Sequence, residues 1–310
     1  MGAVRGVWIE PEPIETPASL RAAVGGHPLL AGILLQRGID TPEAARSFLD
    51  PRYYRTAPPA DLPDLPAAVE RLAQALVNGE HVVVWGDFDV DGQTATAILM
   101  AGLTLLGFKA SYYIPHRLDE SHGLNRAGLD GIIAEGARLL VTCDCGTSDA
   151  AEVEYARHAG MDVIISDHHD PHYDPPACSA VVNPKYLPAG HPLYALSGAG
   201  VAYKLVEGLL ERFGRAGMAA DLLDLAALGT LADVVPLLAE NRYIVQRGLP
   251  ALVTSRRVGL QALVAMANIE LSDVDADPLT YELAPALNAA GRLDTAEIAV
   301  RLLLTTDRGE

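Results

Sequence analysis

Seven aspartates and two histidines gather into four short segments of this chain: Gly86-Asp87-Phe88-Asp89-Val90-Asp91-Gly92, Cys143-Asp144-Cys145-Gly146, Asp167-His168-His169-Asp170, and Asp233 within GTLADVVPL. Asp87, Asp89 and Asp91 are spaced by two, so an extended chain projects all three carboxylates to one side. Three like charges on one face are unstable without cations. Gly92, directly after them, allows a tight turn into the following helix. His168 and His169 are adjacent and point to opposite faces of a strand, so one is expected to ligate and the other to meet substrate. Hard carboxylates with a single imidazole suit Mg²⁺ or Mn²⁺ better than a thiolate-preferring zinc site. Two such ions about 4 Å apart, bridged by a shared carboxylate, generate a nucleophile from water and neutralise phosphoryl oxygens. Phosphoester hydrolysis is the chemistry that follows.

Singly, each of these acids reads equally well as a helix N-cap or turn former. Jointly they do not, because three neighbouring strands would each have to end in carboxylates for unrelated reasons, one of them beside two histidines. In open parallel sheets, ligands sit beyond the C-terminal ends of the strands. The expected strands are HVVVWG (81–86), ASYYIP (110–115), RLLVTCD (138–144), DVIISD (162–167) and SAVVNP (179–184), separated by helical stretches that begin near Thr94, Asn125, Ser148 and Ser197. Such β-branched runs alternating with helical periods predict an α/β fold, a mostly parallel β-sheet flanked by helices. Before it, Leu29 to Leu35 and Thr41 to Leu49 read as short helices, the second with Thr41 as N-cap and Pro42 at its first position. PRYYRTAPPADLPDLP reads as a linker. After Leu196 the chain is predominantly helical, through LLDLAALGTLADVVPL, NRYIVQRGLPALV, Val258 to Ala267, and a last amphipathic helix from Asp294 to Leu304. The expected organisation is a small helical N-terminal unit with linker (1–65), the main domain (66–253) and a helical C-terminal portion (254–310).

Composition sets limits. Half of the 310 residues are hydrophobic and 20% charged, as in a globular chain. The longest apolar runs, such as Thr96 to Gly107, stop short of the roughly 20 residues a membrane span needs, and the acidic N-terminus lacks the apolar stretch of a signal peptide. A cytoplasmic location is expected. Cys143, Cys145 and Cys178 give an odd count without the second ligand pair of a zinc site, so Cys143 and Cys145 read as buried packing residues. The formal charge of −17 argues against a broadly basic nucleic-acid surface, although bound divalent cations would cancel part of it.

The succession GDFDVDG, TCDCGT, SDHHDP and LGTLADVVPL resembles the four motifs of the DHH phosphoesterase family. LSGAGVAYKL, ENRYIVQRGL, PALNAAGRLD and the N-terminal PLLAGILLQRGIDTPEAARSFLDP resemble its RecJ branch, so the likeness covers nearly the whole chain. The resemblance implies that Asp87 and Asp89 serve one cation and Asp91, His168 and Asp233 the other. It makes Asp144 the bridge and His169 the residue facing the scissile phosphate. It places Asn288 and Arg292 against substrate, Arg292 as a phosphate contact; a buried ion pair is the other reading of that arginine. It implies two Mn²⁺ or Mg²⁺ ions and the core of a 5′→3′ single-stranded-DNA exonuclease of DNA repair and recombination. Single-stranded DNA with a 5′ end would be the partner, with a single-strand-binding protein and a helicase beyond it. Two alternatives share the fold: hydrolysis of short oligonucleotides, cyclic dinucleotides or pyrophosphate, and a non-catalytic scaffold. HRLDESHGLN departs from the EGYGLN of the RecJ branch at Ser121-His122, and His122 and Asn125 are read as solvated loop residues. A glycine-rich second domain and a strand-gripping OB-fold, both part of the resemblance, are expected beyond Glu310.

Overall fold

The computed structural model describes residues 14–120, 122–171, 174–270, 275–293 and 295–310. Ser121 and Asp294, the latter the expected start of the last helix, lie outside the described residues. The chain divides into two compact units, Met1–Arg55 and Thr56–Glu310.

The first unit holds three short helices, α1 (Ala18–Ala23), α2 (Pro28–Gln36) and α3 (Pro42–Leu49), closed around Leu20, Ala31, Leu34, Ile39 and Ala45. Thr41 caps α3 by accepting from Ala44 N at 3.1 Å, with Pro42 behind it as expected.

The second unit is built on five parallel strands: β1 (His81–Trp85), β2 (Lys109–Tyr113), β3 (Leu139–Thr142), β4 (Asp162–Ser166) and β5 (Ala180–Val182). Each lies inside its expected run or within one residue of it. Alternate residues enter two separate cores, Val82 and Val84 on one face, Val83 and Trp85 on the other. A parallel sheet must be covered on both faces, which explains the buried apolar runs of β1, β3, β4 and β5, while the edge strand β2 stays partly exposed. The helices that follow β1, β2, β3 and β5 in sequence supply that cover: α5 (Val90–Leu106), α6 (Arg126–Ala134), α7 (Ala150–His158) and α8 (Gly198–Arg212). The strand order is β2-β1-β3-β4-β5. It reverses between β1 and β3, and the crevice outside their C-terminal ends is where ligands bind in such sheets.

Ahead of β1 runs α4 (Leu65–Asn78), whose buried face of Leu65, Ala68, Val69, Leu72 and Ala75 has the 3–4 residue spacing of an amphipathic helix. Its start lies within the stretch read as linker; of the five prolines there only Pro66 falls inside the helix, near its start where proline is permitted. The remainder is helical: α9 (Leu223–Ala232), α10 (Ala239–Val253), α11 (Val258–Met266), the single turn α12 (Ala276–Pro278), α13 (Ala284–Leu293) and α14 (Glu297–Leu304). Among the described residues no helix is long and apolar enough to cross a membrane.

One buried charge cluster ties these layers together. The Lys204 ammonium on α8, almost fully buried, lies 2.6 Å from Glu240 Oε1 on α10, and donates to Glu207 Oε2 at 2.8 Å and to Ala57 O at 3.0 Å. Removing one partner of a buried pair strands the other charge, so Lys204→Met is expected to destabilise the chain by about 3–5 kcal/mol. Urea unfolding checks it; a loss under about 1 kcal/mol would mean that the apolar replacement repacks there.

Candidate metal centre

Asp87 lies two residues past the end of β1, buried beneath the crevice. The expectation that Asp87, Asp89 and Asp91 share one extended face is corrected here. The helix begins at Val90 rather than near Thr94. Asp89 is its N-cap, accepting from Gly92 N at 3.0 Å, and Asp91 sits in the first turn. A helix start turns the three carboxylates about the crevice instead of stacking them. Gly92 does not make the turn but lies within the helix: a Cβ there would stand 2.6 Å from Asp87 Cβ, so only glycine lets the helix start pack against Asp87.

Asp91 also performs the capping role that any single acid was expected to suit. Its carboxylate accepts from Gly198 N at 2.6 Å and Ala199 N at 2.8 Å, at the N-terminus of α8. A carboxylate offers about four lone-pair sites, so capping and cation binding are compatible. Asp144 follows β3 with φ of 63°, in the left-handed region, and is buried. Its Oδ1 accepts no hydrogen bond among the described residues, although His168 Nε2 lies 3.0 Å away. His168 Nε2 is also 3.7 Å from Asp91 Oδ2, and its Nδ1 is 3.7 Å from Asp233 Oδ2. Asp233 is the C-cap of α9, so the acid expected inside a helix stands at its end.

These side chains form three overlapping groups whose ligand atoms lie within 4.8 Å of one another: Asp87, Asp89 and Asp144; Asp91, His168 and Asp233; and Asp144, His168 and His169. Their electrostatics are those of a site short of positive charge. Burial, then the charges of Asp91, Asp89 and Asp87, push the Asp144 carboxyl well above the usual range; burial, then Asp233 and Asp89, do the same to Asp91. Asp89 is raised by burial and by Asp87, and Asp233 is raised to about 6 by burial and by Asp89. Burial and the neighbouring His169 lower His168 to about 4, leaving it a neutral imidazole near neutral pH, the form that binds metals. A buried, unpartnered carboxylate oxygen inside a cage of oxygen donors and one imidazole fits Mg²⁺ or Mn²⁺.

Behind the cage stands Asp167, to which the sequence motif alone gives no role. Its Oδ1 accepts from His168 N (2.7 Å), His169 N (3.2 Å) and His169 Nδ1 (2.8 Å), and its Oδ2 from Thr147 N (2.9 Å). Burial alone would raise this carboxyl, but the His169 and Thr147 donors hold it at about 2, and the same bond raises His169 to about 9. Asn183 Nδ2 donates to Thr147 Oγ1 and to His169 O, both at 3.0 Å. His169, about half exposed, lines a cleft of ≈360 Å³ with His122, Gly146, Ser148, Asp149, Asp167 and Asp170. A larger cavity of ≈820 Å³ shares none of these residues; its buried Asp224 is engaged by Ser255 and Arg257.

His122 is the second residue missed. Read as a solvated loop position, it places Nδ1 3.0 Å from Asp87 Oδ1. Asn125, read the same way, is instead the half-buried N-cap of α6, accepting from Gly128 N at 2.8 Å. Asn288 is half-buried in α13, and Arg292 is exposed near the end of that helix, so the buried ion-pair reading of Arg292 is set aside. No hydrogen bond or ion pair joins either to the acids among the described residues. The preceding Gly291 abuts Phe88 O, 3.0 Å from where its Cβ would stand, which brings this end of α13 to the rim of the crevice. Cys143 and Cys145 are buried as expected, and burial pushes the Cys143 thiol up to about 12.

Comparison with known proteins agrees with this geometry. Residues 81–230 match the DHH family, N-terminal domain. The chain is 38% identical over 283 residues to the single-stranded-DNA-specific exonuclease RecJ of Bacillus subtilis, covering 91% of this chain and 35% of that protein. A solved RecJ from Thermus thermophilus in complex with Mn²⁺ superposes with a TM-score of 0.81 at 35% identity, over 96% of this chain and 42% of that one. An exonuclease RecJ bound to manganese gives 0.74 at 40% identity, over 80% and 62%. The chain spans 35% to 51% of the length of the first three curated relatives it matches. With residues 81–230 matching the family model and RecJ proteins at 35–40% identity sharing the fold over 80–96% of its length, the chain belongs to the DHH family, in its RecJ branch.

Proposed function

We propose that this chain is the cation-binding core of a single-stranded-DNA exonuclease that removes nucleotides from a 5′ end. The observation that carries it is the buried, unpartnered Asp144 Oδ1 at the β1/β3 crevice, with acids and His168 around it. Asp87 and Asp89 would hold one cation, Asp91, His168 and Asp233 the other, and Asp144 would bridge. Two bound Mn²⁺ or Mg²⁺ ions supply an activated water and charge neutralisation at phosphate. The chain's own residues do the rest. Neutral His168 offers a ring lone pair to the cage, and Asp167 fixes the His169 ring through Nδ1. Nε2–H of His169 is then free to donate to the scissile phosphate from the open side of the cleft, and Arg292 and Asn288 are its proposed further substrate contacts. The hydrolytic part is placed in residues 66–253, flanked by 1–65 and 254–310. Action in DNA repair and recombination in the cytoplasm, beside a single-strand-binding protein and a helicase, completes the proposal.

The formal charge of −17 favours a second reading, hydrolysis of short oligonucleotides, cyclic dinucleotides or pyrophosphate. One assay separates them: a 5′-labelled long single strand against a dinucleotide, each with Mn²⁺ and with EDTA. Faster Mn²⁺-dependent release from the long strand is expected; preference for the dinucleotide would replace the leading reading with the second.

Asp167→Asn tests the role given to His169. It should lower kcat by about 10²–10⁴-fold, the range of a general acid–base group, while Mn²⁺ affinity stays unchanged. Steady-state kinetics with parallel Mn²⁺ titration checks this, and unaltered kcat would remove His169 from the chemistry.

A further inference from the structure

The loop between β2 and α6 has no part in the two-cation reading, yet it sets an imidazole against the centre. His122 Nδ1 is 3.0 Å from Asp87 Oδ1, and its ring stands edge-on to those of His169 and Phe88, at centroid distances of 5.4 and 6.2 Å. The side chain is 50% exposed, so burial does not hold it there. The anchors of its loop do. Trp85 Nε1 donates to Gly123 O at 3.2 Å, and Leu124 N donates to Asp149 Oδ2 at 2.9 Å. Gly123 has φ of 84°, and the Asp149 carboxylate lies 2.6 Å from where its Cβ would stand, so the residue after His122 must be glycine. Trp85 ends β1, and Asp87 follows two residues later. The strand that delivers the carboxylate therefore also ties down the loop that touches it.

We infer that His122 is a positioning residue for the first cation: its Nδ1–H donates to Asp87 Oδ1 and fixes how that carboxylate faces Asp89 and Asp144. The inference rests on the two-cation reading and deepens it. Groups that hold a metal-ligating side chain from behind are typically worth about 10- to 100-fold in metal affinity.

The test is Mn²⁺ titration by calorimetry of the chain, His122→Ala and His122→Asn, with metal-free melting temperatures alongside. Asparagine can offer an N–H where Nδ1 stood. The unaltered chain should bind two ions. His122→Ala should weaken one of them by about 10-fold or more and leave the other, while His122→Asn should restore affinity to within about 3-fold. All three should melt alike without metal, because the side chain is half-exposed. Wild-type affinity for both ions in His122→Ala overturns the inference, and so does a lowered metal-free melting temperature with affinity unchanged, the mark of a merely structural loop. His122→Asn as weak as His122→Ala also overturns it, since the imidazole itself would then be the ligand. An unaltered chain that binds no Mn²⁺ fails differently: it removes the two-cation reading beneath.

Discussion

Asp144→Asn should abolish metal-dependent hydrolysis while making the metal-free chain more stable. Asp144 is buried, takes a left-handed backbone conformation, and keeps an oxygen without a hydrogen-bond donor amid Asp87, Asp89, Asp91 and His168. Positions that burial and like charge disfavour this strongly are retained for function, at a cost in stability. An amide fills the same space without the charge. It cannot bridge two cations, so kcat should fall by at least about 10³-fold, equivalent to roughly 4 kcal/mol. The same change relieves the repulsion that raises the carboxyls around it, and the gain in unfolding free energy in EDTA near neutral pH should be on the order of 1 kcal/mol. Kinetics with Mn²⁺ and calorimetric melting in EDTA check both halves. An active variant, or one that melts lower without metal, would show that Asp144 is a structural acid.

The metal-free chain should also gain stability on acidification from about pH 7.5 to about pH 5.5, and Mn²⁺ should reverse that slope. Asp89, Asp91, Asp144 and Asp233 all titrate above the ordinary 3.8, Asp233 at about 6. A carboxyl raised in the folded state contributes stability that is fully present below its unfolded value and lost as pH rises through its folded value. His169, raised to about 9, acts in the same direction from 6.5 upward. His168 opposes them: lowered to about 4, it contributes stability above 6.5 that is lost as pH falls toward 4. Asp167, held at about 2, keeps its contribution throughout this window. Asp91 and Asp144, raised well above 3.8, together with Asp233 and His169 outweigh one imidazole, so the metal-free melting temperature rises as pH falls. Bound cations replace those protons, and each ion at 100 times its Kd adds about 2.7 kcal/mol. With saturating Mn²⁺ the chain should therefore melt higher at about pH 7.5 than at 5.5. A metal-free melting temperature that falls on acidification would contradict the raised carboxyls.

What could be read from the sequence follows the range of the interactions involved. Strands β1, β3 and β4 announced themselves because a sheet covered on both faces needs unbroken apolar runs, and those runs ended at the acids. Ser197 and Asn125 were visible as helix starts because a cap is a local device. The start of α5 was misjudged for the same reason: Asp-x-Asp-x-Asp looks extended, and the local cue to the contrary was Asp89 three residues before Gly92, an N-cap spacing. Asp91 bonding to the start of α8, 107 residues away, leaves no mark in either segment. His122 reaches Asp87 across 35 residues through a loop tied by Trp85, and the only trace in the sequence was the Gly123 that the loop requires. The strand order, which puts β1 beside β3 and creates the crevice, depends on the packing of whole helices and has no local signal at all.

The proposed hydrolysis depends on two cations sharing Asp144. Anomalous X-ray scattering at the manganese edge, from crystals of the chain equilibrated with Mn²⁺, measures this directly. Two peaks are predicted, one touching Asp87, Asp89 and Asp144, the other Asp91, Asp144, His168 and Asp233. A single peak, or peaks whose nearest oxygens exclude Asp144, would contradict it.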